Sequence, residues 1–373
     1  MATLIYDVGD LQDIALDLAG DYEIANDIDA SGFGFVPLGT FTGTLDFKGY
    51  VVTNLTITLN AAGIQRGALI VTNDGTVKNG GLEDCAISVT STNNNAYVGS
   101  IAQRNNGTIQ NCHVTGSLTA IANTAIGWAC AGGIASYNTG TISKSNSTAT
   151  ITCTSTKHAE AGGLVESNGG NIEISFASGN VTVTGTGTVN AAGFVAWNGY
   201  YAVSLITDCY ARGNASANGG TAKAAGFVQK NDTDGSIEDS YSTGVPTGAS
   251  GTGGFCETNN DTITDCFWDT ETSGTAVSDG GMGKTTAEMK TKSTFTDADW
   301  DFIVIWGILS TINDGYPFFW AMEEIPDSPR RTDPIEDKIT LESIRNVEMV
   351  AMGRFRVDKE GNAVYKSRYA RNA

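Results

Sequence analysis

A pair of small residues, an apolar residue and an asparagine four positions after it recur seven times along this chain, as GALIVTN, GSIAQRN, GGIASYN, GGLVESN, AGFVAWN, AGFVQKN and GGFCETN. The asparagines are Asn73, Asn105, Asn138, Asn168, Asn198, Asn231 and Asn259, spaced by 32, 33, 30, 30, 33 and 28 residues. A second element alternates with the first: an aliphatic residue followed three positions later by Cys or Ser. Its members are Leu82–Cys85, Ile109–Cys112, Ile142–Ser145, Ile172–Ser175, Ile206–Cys209, Ile237–Ser240 and Ile263–Cys266. Between them lies alternating β-branched sequence such as TATITCTS and NVTVTGTG, without helical periodicity. A period in this range, rich in β-branched residues and Gly/Asn turns, predicts one coil of a β-solenoid per repeat, with three short strands in each.

Stacked coils place equivalent residues in columns about 4.8 Å apart. Each Asn amide can then bond the next in a ladder, and small Cys or Ser side chains can fill a narrow corner. The fold expected is all-β: a parallel β-solenoid, or β-helix, of about seven coils. Residues 1–66 would form an N-terminal cap and entry, 67–266 the repeats, 267–320 a C-terminal cap, and 321–373 a linker and docking tail. A solenoid needs such caps because its end coils would otherwise expose apolar surface and free strand edges. The N-terminal cap would include a short amphipathic helix near Asp10–Leu18. The C-terminal one would include a helical TTAEMK segment and the aromatic residues Trp300, Phe302, Trp306, Tyr316, Phe318, Phe319 and Trp320.

Charge and composition narrow the function. A net charge of −19 argues against a nucleic-acid partner, which would require a basic stripe. No apolar run is long enough for a membrane span, and the chain reads as soluble. The seven cysteines show no CxxC pair or zinc spacing and read as reduced, buried hydrophobes, with Cys85 and Cys112 placed closely enough to bridge. No cofactor is expected. The tail carries ten of the chain's 22 Lys and Arg residues. It reads as a Pro-punctuated linker, a helix with Asp333 as N-cap, and a hairpin turning at Gly361-Asn362.

The middle repeats resemble the GLUG motif of bacterial surface and adhesin-like proteins, and the flanking YEIANDIDASG and CFWDTETSG…NDGYPFFW segments resemble the stretches that lead into and follow such repeats. The resemblance covers about residues 1–320. It implies a β-helical scaffold for binding or display, and it carries no catalytic residues.

Three surface columns are candidates for function. Asp208, Asp239 and Asp265 each precede the Cys/Ser position, and neighbouring carboxylates in stacked coils could serve as an acid–base pair; Asp239 and Asp265, with Asp232 and Asp234, could instead hold calcium. The reading preferred is a solvated acidic edge with no metal. Phe176, Tyr210, Tyr241 and Phe267 follow the Cys/Ser position, so strand alternation sends them outward beside the aspartates if the Cys column points in. There they would serve as a glycan or protein platform, or as a ladder hidden under a loop. Tyr137 and Trp197, each just before its ladder Asn, are further exposed candidates. A stiff display rod without a recognisable export signal suggests a structural or binding protein of a virus particle: a phage fibre, spike or capsid-decorating protein. It would be anchored to other virion proteins through residues 321–373, homo-oligomeric, and able to bind a host-surface glycan or protein. The alternatives are a bacterial surface adhesin and a polysaccharide-degrading β-helix enzyme; the expectation adopted is that the chain is not an enzyme.

Overall fold

The repeats stack as parallel coils. The computed structural model describes residues 2–200 and 202–322, together with the backbone strands Gly353–Val357 and Ala363–Ser367. The seven ladder asparagines pair in unbroken parallel register from Asn73 to Asn259, and Leu38–Phe41 adds an earlier rung in which Phe41 stands opposite Asn73. Sequence repetition has therefore become vertical alignment, giving a β-solenoid of about seven turns.

Three sheets run along it. One small sheet holds segments such as Ala96–Gly99, Trp128–Gly132 and His158–Gly162. A second holds the Asn-bearing segments Ala102–Asn105, Ala135–Asn138 and Val165–Asn168. The large third sheet takes the rest of each coil, and in it the simple three-strand expectation gives way to a bent face. The residue before each Cys or Ser has positive φ: Asp84, Asn111, Lys144, Ile174, Asp208, Asp239 and Asp265, all between 48° and 52°. A left-handed residue at the same place in every coil turns the strand a corner. Asp and Asn tolerate that conformation better than other non-glycine residues, which accounts for their frequency there.

The corner also explains the Cys/Ser column. The backbone N–H groups of Cys112, Ser145 and Cys209 donate to the hydroxyls of Ser145, Ser175 and Ser240 one coil on, at 3.1–3.2 Å. Each of these hydroxyls donates in turn to the carbonyl two residues before it. The column thus satisfies backbone groups that a sharp corner would otherwise leave unpaired. All seven cysteines are unbridged and buried. Burial pushes the Cys85 and Cys112 thiols up to about 12.

The small-residue pair has an equally specific cause. At Gly132 a Cβ would lie 1.9 Å from the Ala135 carbonyl oxygen, and at Gly133 2.1 Å from the Gly163 carbonyl oxygen of the next coil. Only minimal residues let the chain reverse between the two small sheets while coils stack at this spacing. The following apolar residue then points inward, so Leu69, Ile101, Ile134, Leu164, Phe194, Phe227 and Phe255 form a fully buried column. Its last three rings stack with centroids 4.6 Å apart. A helix at Val8–Asp13, continued by a 3-10 turn at Ile14–Leu16, buries Leu11 and Ile14 at the N-terminal end.

The chain divides into two compact units. The first comprises residues 1–300 and 308–317. It includes the helix Thr286–Met289, whose Thr285 and Glu288 form a capping box, and the rings of Phe295, Trp300 and Tyr316. The second gathers residues 301–307 with those from 318 onward. In it Trp306–Gly307 pairs antiparallel with Phe318–Phe319, and Gly353–Val357 pairs antiparallel with Ala363–Ser367 as a hairpin. The helix expected from Asp333 onward lies outside the described residues.

Candidate functional site

The aspartates singled out from sequence occupy the left-handed corners, and this is their structural employment. Asp208 and Asp239 are buried, at 2% and 3% exposure, and not on a solvated edge. The Asp265 carbonyl oxygen accepts from the Trp300 indole at 2.9 Å. Asp232 binds Lys230 at 2.7 Å and the Trp197 indole at 3.2 Å.

The aromatic column forms a stack, but the reading of an open platform is corrected. Phe176 and Tyr210 are parallel at 4.7 Å, and Tyr210 and Tyr241 at 5.1 Å. Tyr210, Tyr241 and Phe267 are buried; only Phe176, at the N-terminal end, is half-buried. Residues 286–300 and 308–317 cover the stack: Phe295 and Trp300 meet Tyr241 and Phe267, Tyr316 lies parallel to Tyr241, and the Tyr241 hydroxyl donates to the Pro317 carbonyl. Asp269 anchors this cover, accepting from the Glu271 and Thr272 N–H groups and from the Thr286 and Tyr316 hydroxyls. The column is therefore the seam that fastens the cap.

A different face is open. The two small sheets meet at the Gly-rich reversal so that their outward side chains converge on a groove of about 670 Å³. Strand Trp128–Gly132 contributes Cys130, Val165–Asn168 contributes Glu166 and Ser167, and Ala135–Asn138 contributes Ser136 and Tyr137. Tyr97, Trp128, Tyr137 and Tyr200 supply ring surface, and Arg66 and Arg104 supply charge. Trp128 is 39% exposed and its ring lies against His158 at 4.7 Å. Tyr200 meets Tyr137 edge-on at 5.6 Å and Trp197 at 4.8 Å, while the Arg104 guanidinium lies over Tyr137 at 4.5 Å. Further along the same crease Lys223 binds Glu257 at 3.0 Å, so an ion pair fills what the earlier coils leave open.

Two buried glutamates are set in and beside this groove. Glu166, on its floor and 7% exposed, accepts from Ser167 at 2.8 Å and Ser136 at 3.3 Å. Glu160, 2% exposed, takes His158 at 2.8 Å and the Asn190 amide at 3.2 Å. Burial first, and the neighbouring Glu160 charge second, push the Glu166 carboxyl up to about 8, against the pull of Ser167, Ser136 and Cys130. Glu166 therefore holds a proton at neutral pH and can donate it. The Cys130 thiol is pushed well upward by burial, then by Glu166, and so lacks thiolate character. Asn190 is 9% exposed, and its Oδ1 has no hydrogen-bond partner. Among the described residues, no three His, Cys, Asp or Glu side chains are grouped to hold a metal ion.

Of the residues named from sequence, Tyr137 lines the groove and Trp197 flanks it. Glu160 and Glu166 were missed; the available signal was two acidic residues within AEAGGLVES, where the other coils place mostly small or neutral residues.

No family model matches the chain. A "Putative Gly-rich membrane protein" of Evansella cellulosilytica is 34% identical over 121 residues, which is 31% of this chain and 14% of that protein's length. The match thus spans a small fraction of that relative. Among solved structures, a "putative immunoglobulin A1 protease" from Bacteroides ovatus superposes with a TM-score of 0.58 at 21% identity, covering 86% of this chain and 93% of that one. A second, named "IgA1 Protease", gives 0.49 at 18% identity over 75% of this chain and 21% of that one. The first likeness is one of fold. It also corrects the expectation that the chain is not an enzyme: this solenoid occurs in a chain named as a protease, so a non-enzymatic role does not follow from the architecture.

Proposed function

We propose that this chain is the ligand-recognition solenoid of a bacterial surface or extracellular protein, and that it holds a glycan in the groove between the two small sheets. The observation that carries this reading is the convergence of Tyr97, Trp128, Tyr137 and Tyr200 on one concave face above the buried, hydrogen-bonded Glu166 carboxyl. Aromatic faces pack against the apolar faces of sugar rings, and fixed polar groups select hydroxyl positions. The relative named as a membrane protein supports a surface setting. The virion reading, with residues 321–373 as its anchor, finds no support in the comparisons, and the surface-protein alternative takes its place.

A second reading has an observation of its own. A protonated carboxyl on the floor of a cleft, with another carboxyl nearby, is the equipment of a general acid. Glu166 supplies the proton and Glu160 is its neighbour.

One experiment addresses both. The purified chain is presented to an array of surface and host polysaccharides, and retained glycans are then incubated with it and assayed for new reducing ends. Retention that is lost in a Trp128→Ala/Tyr137→Ala variant of unchanged melting temperature is the expected result. Retention unaffected by that variant, or absent altogether, would overturn the groove as the binding site. New reducing ends that vanish in Glu166→Gln would establish the second reading.

A further inference from the structure

The charges at the groove run against the rest of the molecule. The chain is strongly acidic, and Arg66, Arg104 and Arg212 are the arginines whose side chains are described. Arg212 is committed to the cap, donating to Asn313 and Asp314 and lying over Tyr316. The other two both line the groove. They belong to neighbouring rungs: Arg66 pairs in register with Tyr97 in one small sheet, and Arg104 with Tyr137 in the other. Both are exposed, and neither has an ion-pair or hydrogen-bond partner among the described residues. By contrast Lys48, Lys78, Lys223 and Lys230 each have a carboxylate within 3.6 Å. With 41 Asp and Glu residues in the chain, two unmatched guanidinium groups in one aromatic cleft stand out chemically.

We propose that the groove selects an acidic polysaccharide, with Arg66 and Arg104 receiving its carboxylate or sulfate groups while Trp128 and Tyr137 stack on the sugar rings. The proposal rests on the groove reading given above and deepens it. A guanidinium presents a planar fork that matches carboxylate and sulfate oxygens two at a time. Arg104 already lies over the Tyr137 ring, which restricts its motion and reduces the ordering needed on binding. The floor does not oppose an anion. Glu160 is matched by His158 and Asn190, and Glu166 is protonated at neutral pH, where it can offer a hydrogen bond to an anionic group. A sugar is favoured over an acidic peptide because the groove is walled by ring faces, and the strands that carry Tyr97, Trp128 and Tyr137 are already paired on each side; Gln65–Gly67, which carries Arg66, ends its sheet and pairs with Ala96–Gly99 alone.

The test measures binding of the whole chain to polygalacturonate, hyaluronan, dextran sulfate, neutral dextran and poly-glutamate. We expect the acidic polysaccharides to bind at least about tenfold more tightly than dextran. That preference should be lost in Arg66→Gln/Arg104→Gln, and Arg66→Lys/Arg104→Lys should recover part of it. Both arginines are exposed, so melting temperatures should be unchanged, and added salt should weaken the acidic arm selectively. The uronate and sulfate arms distinguish which anionic group is received. Equal binding of neutral and acidic glycans would overturn this inference while leaving the groove reading intact. Poly-glutamate binding as tightly as polygalacturonate would overturn the sugar as the partner. Binding of no glycan would overturn both.

Discussion

At the scale of single residues, the asparagine column is a hydrogen-bonded chain. Each Nδ2 donates to the Oδ1 of the next asparagine at 2.7–2.9 Å, from Asn73 through Asn231 to Asn259. Asn168 is fully buried, accepts from Asn138, and donates to Asn198 and to the Gly170 carbonyl. Replacing it with Leu should cost about 1–3 kcal/mol, because neighbouring amides lose partners in a dry interior; a denaturant midpoint unchanged in Asn168→Leu would refute this. The left-handed column invites the opposite kind of change. Ile174 holds φ of 48° where five of the other six coils place Asp or Asn, and a β-branched residue is strained there. Ile174→Asn should raise stability by about 1 kcal/mol, seen as a higher melting temperature. Spacing alone made the ladder legible. The role of the aspartate column was not legible, because a sequence shows that a carboxylate recurs but not that its backbone φ is positive.

At the scale of elements, the groove and the cap respond to pH in opposite senses. Glu166 ordinarily titrates near 4.5 but near 8 in the fold. Below the lower value both states are protonated; between the two, unfolding releases a proton. Stability should therefore fall as pH rises from 4.5 towards 8 and level off above it. Glu166→Gln should flatten that decline, as thermal melts across this range would show, and an unchanged slope would argue against a buried neutral carboxyl. Asp269 lies the other way. Burial raises its pKa, but the Tyr316 hydroxyl, the Thr272 N–H, Thr286 and the Glu271 N–H outweigh burial and leave it below the ordinary 3.8. Its contribution is present above that value and is lost as pH falls through the folded one. Asp269→Ala should cost roughly 3 kcal/mol and loosen residues 286–300 and 308–317, which hydrogen exchange at Tyr316 and its neighbours would report. The cap's aromatic residues were visible in sequence, yet their target was not: the rings that cover Tyr241 lie 54 to 75 residues further along the chain.

At the scale of the whole molecule, each coil touches chiefly its two neighbours, so the solenoid should behave as a sum of repeats and interfaces. Deleting residues 139–168 would join Asn138 to Gly169 and let the Asn138 amide meet Asn198. The shortened chain should fold, contract by about 4.8 Å in small-angle scattering, and lose groove binding with Glu160 and Glu166. Collapse into an unfolded chain would show that this coil is needed beyond its neighbour contacts. The amide column also has a sense. Each asparagine from Asn73 to Asn231 donates toward the C-terminal end, and at the other end Phe41 stands opposite Asn73, whose Oδ1 has no partner. Reversing any one amide in the middle would set two oxygens and two NH₂ groups face to face. The seven side chains are therefore locked in a common orientation, as compass needles are in a row, and information about which way the first one points is carried to the last.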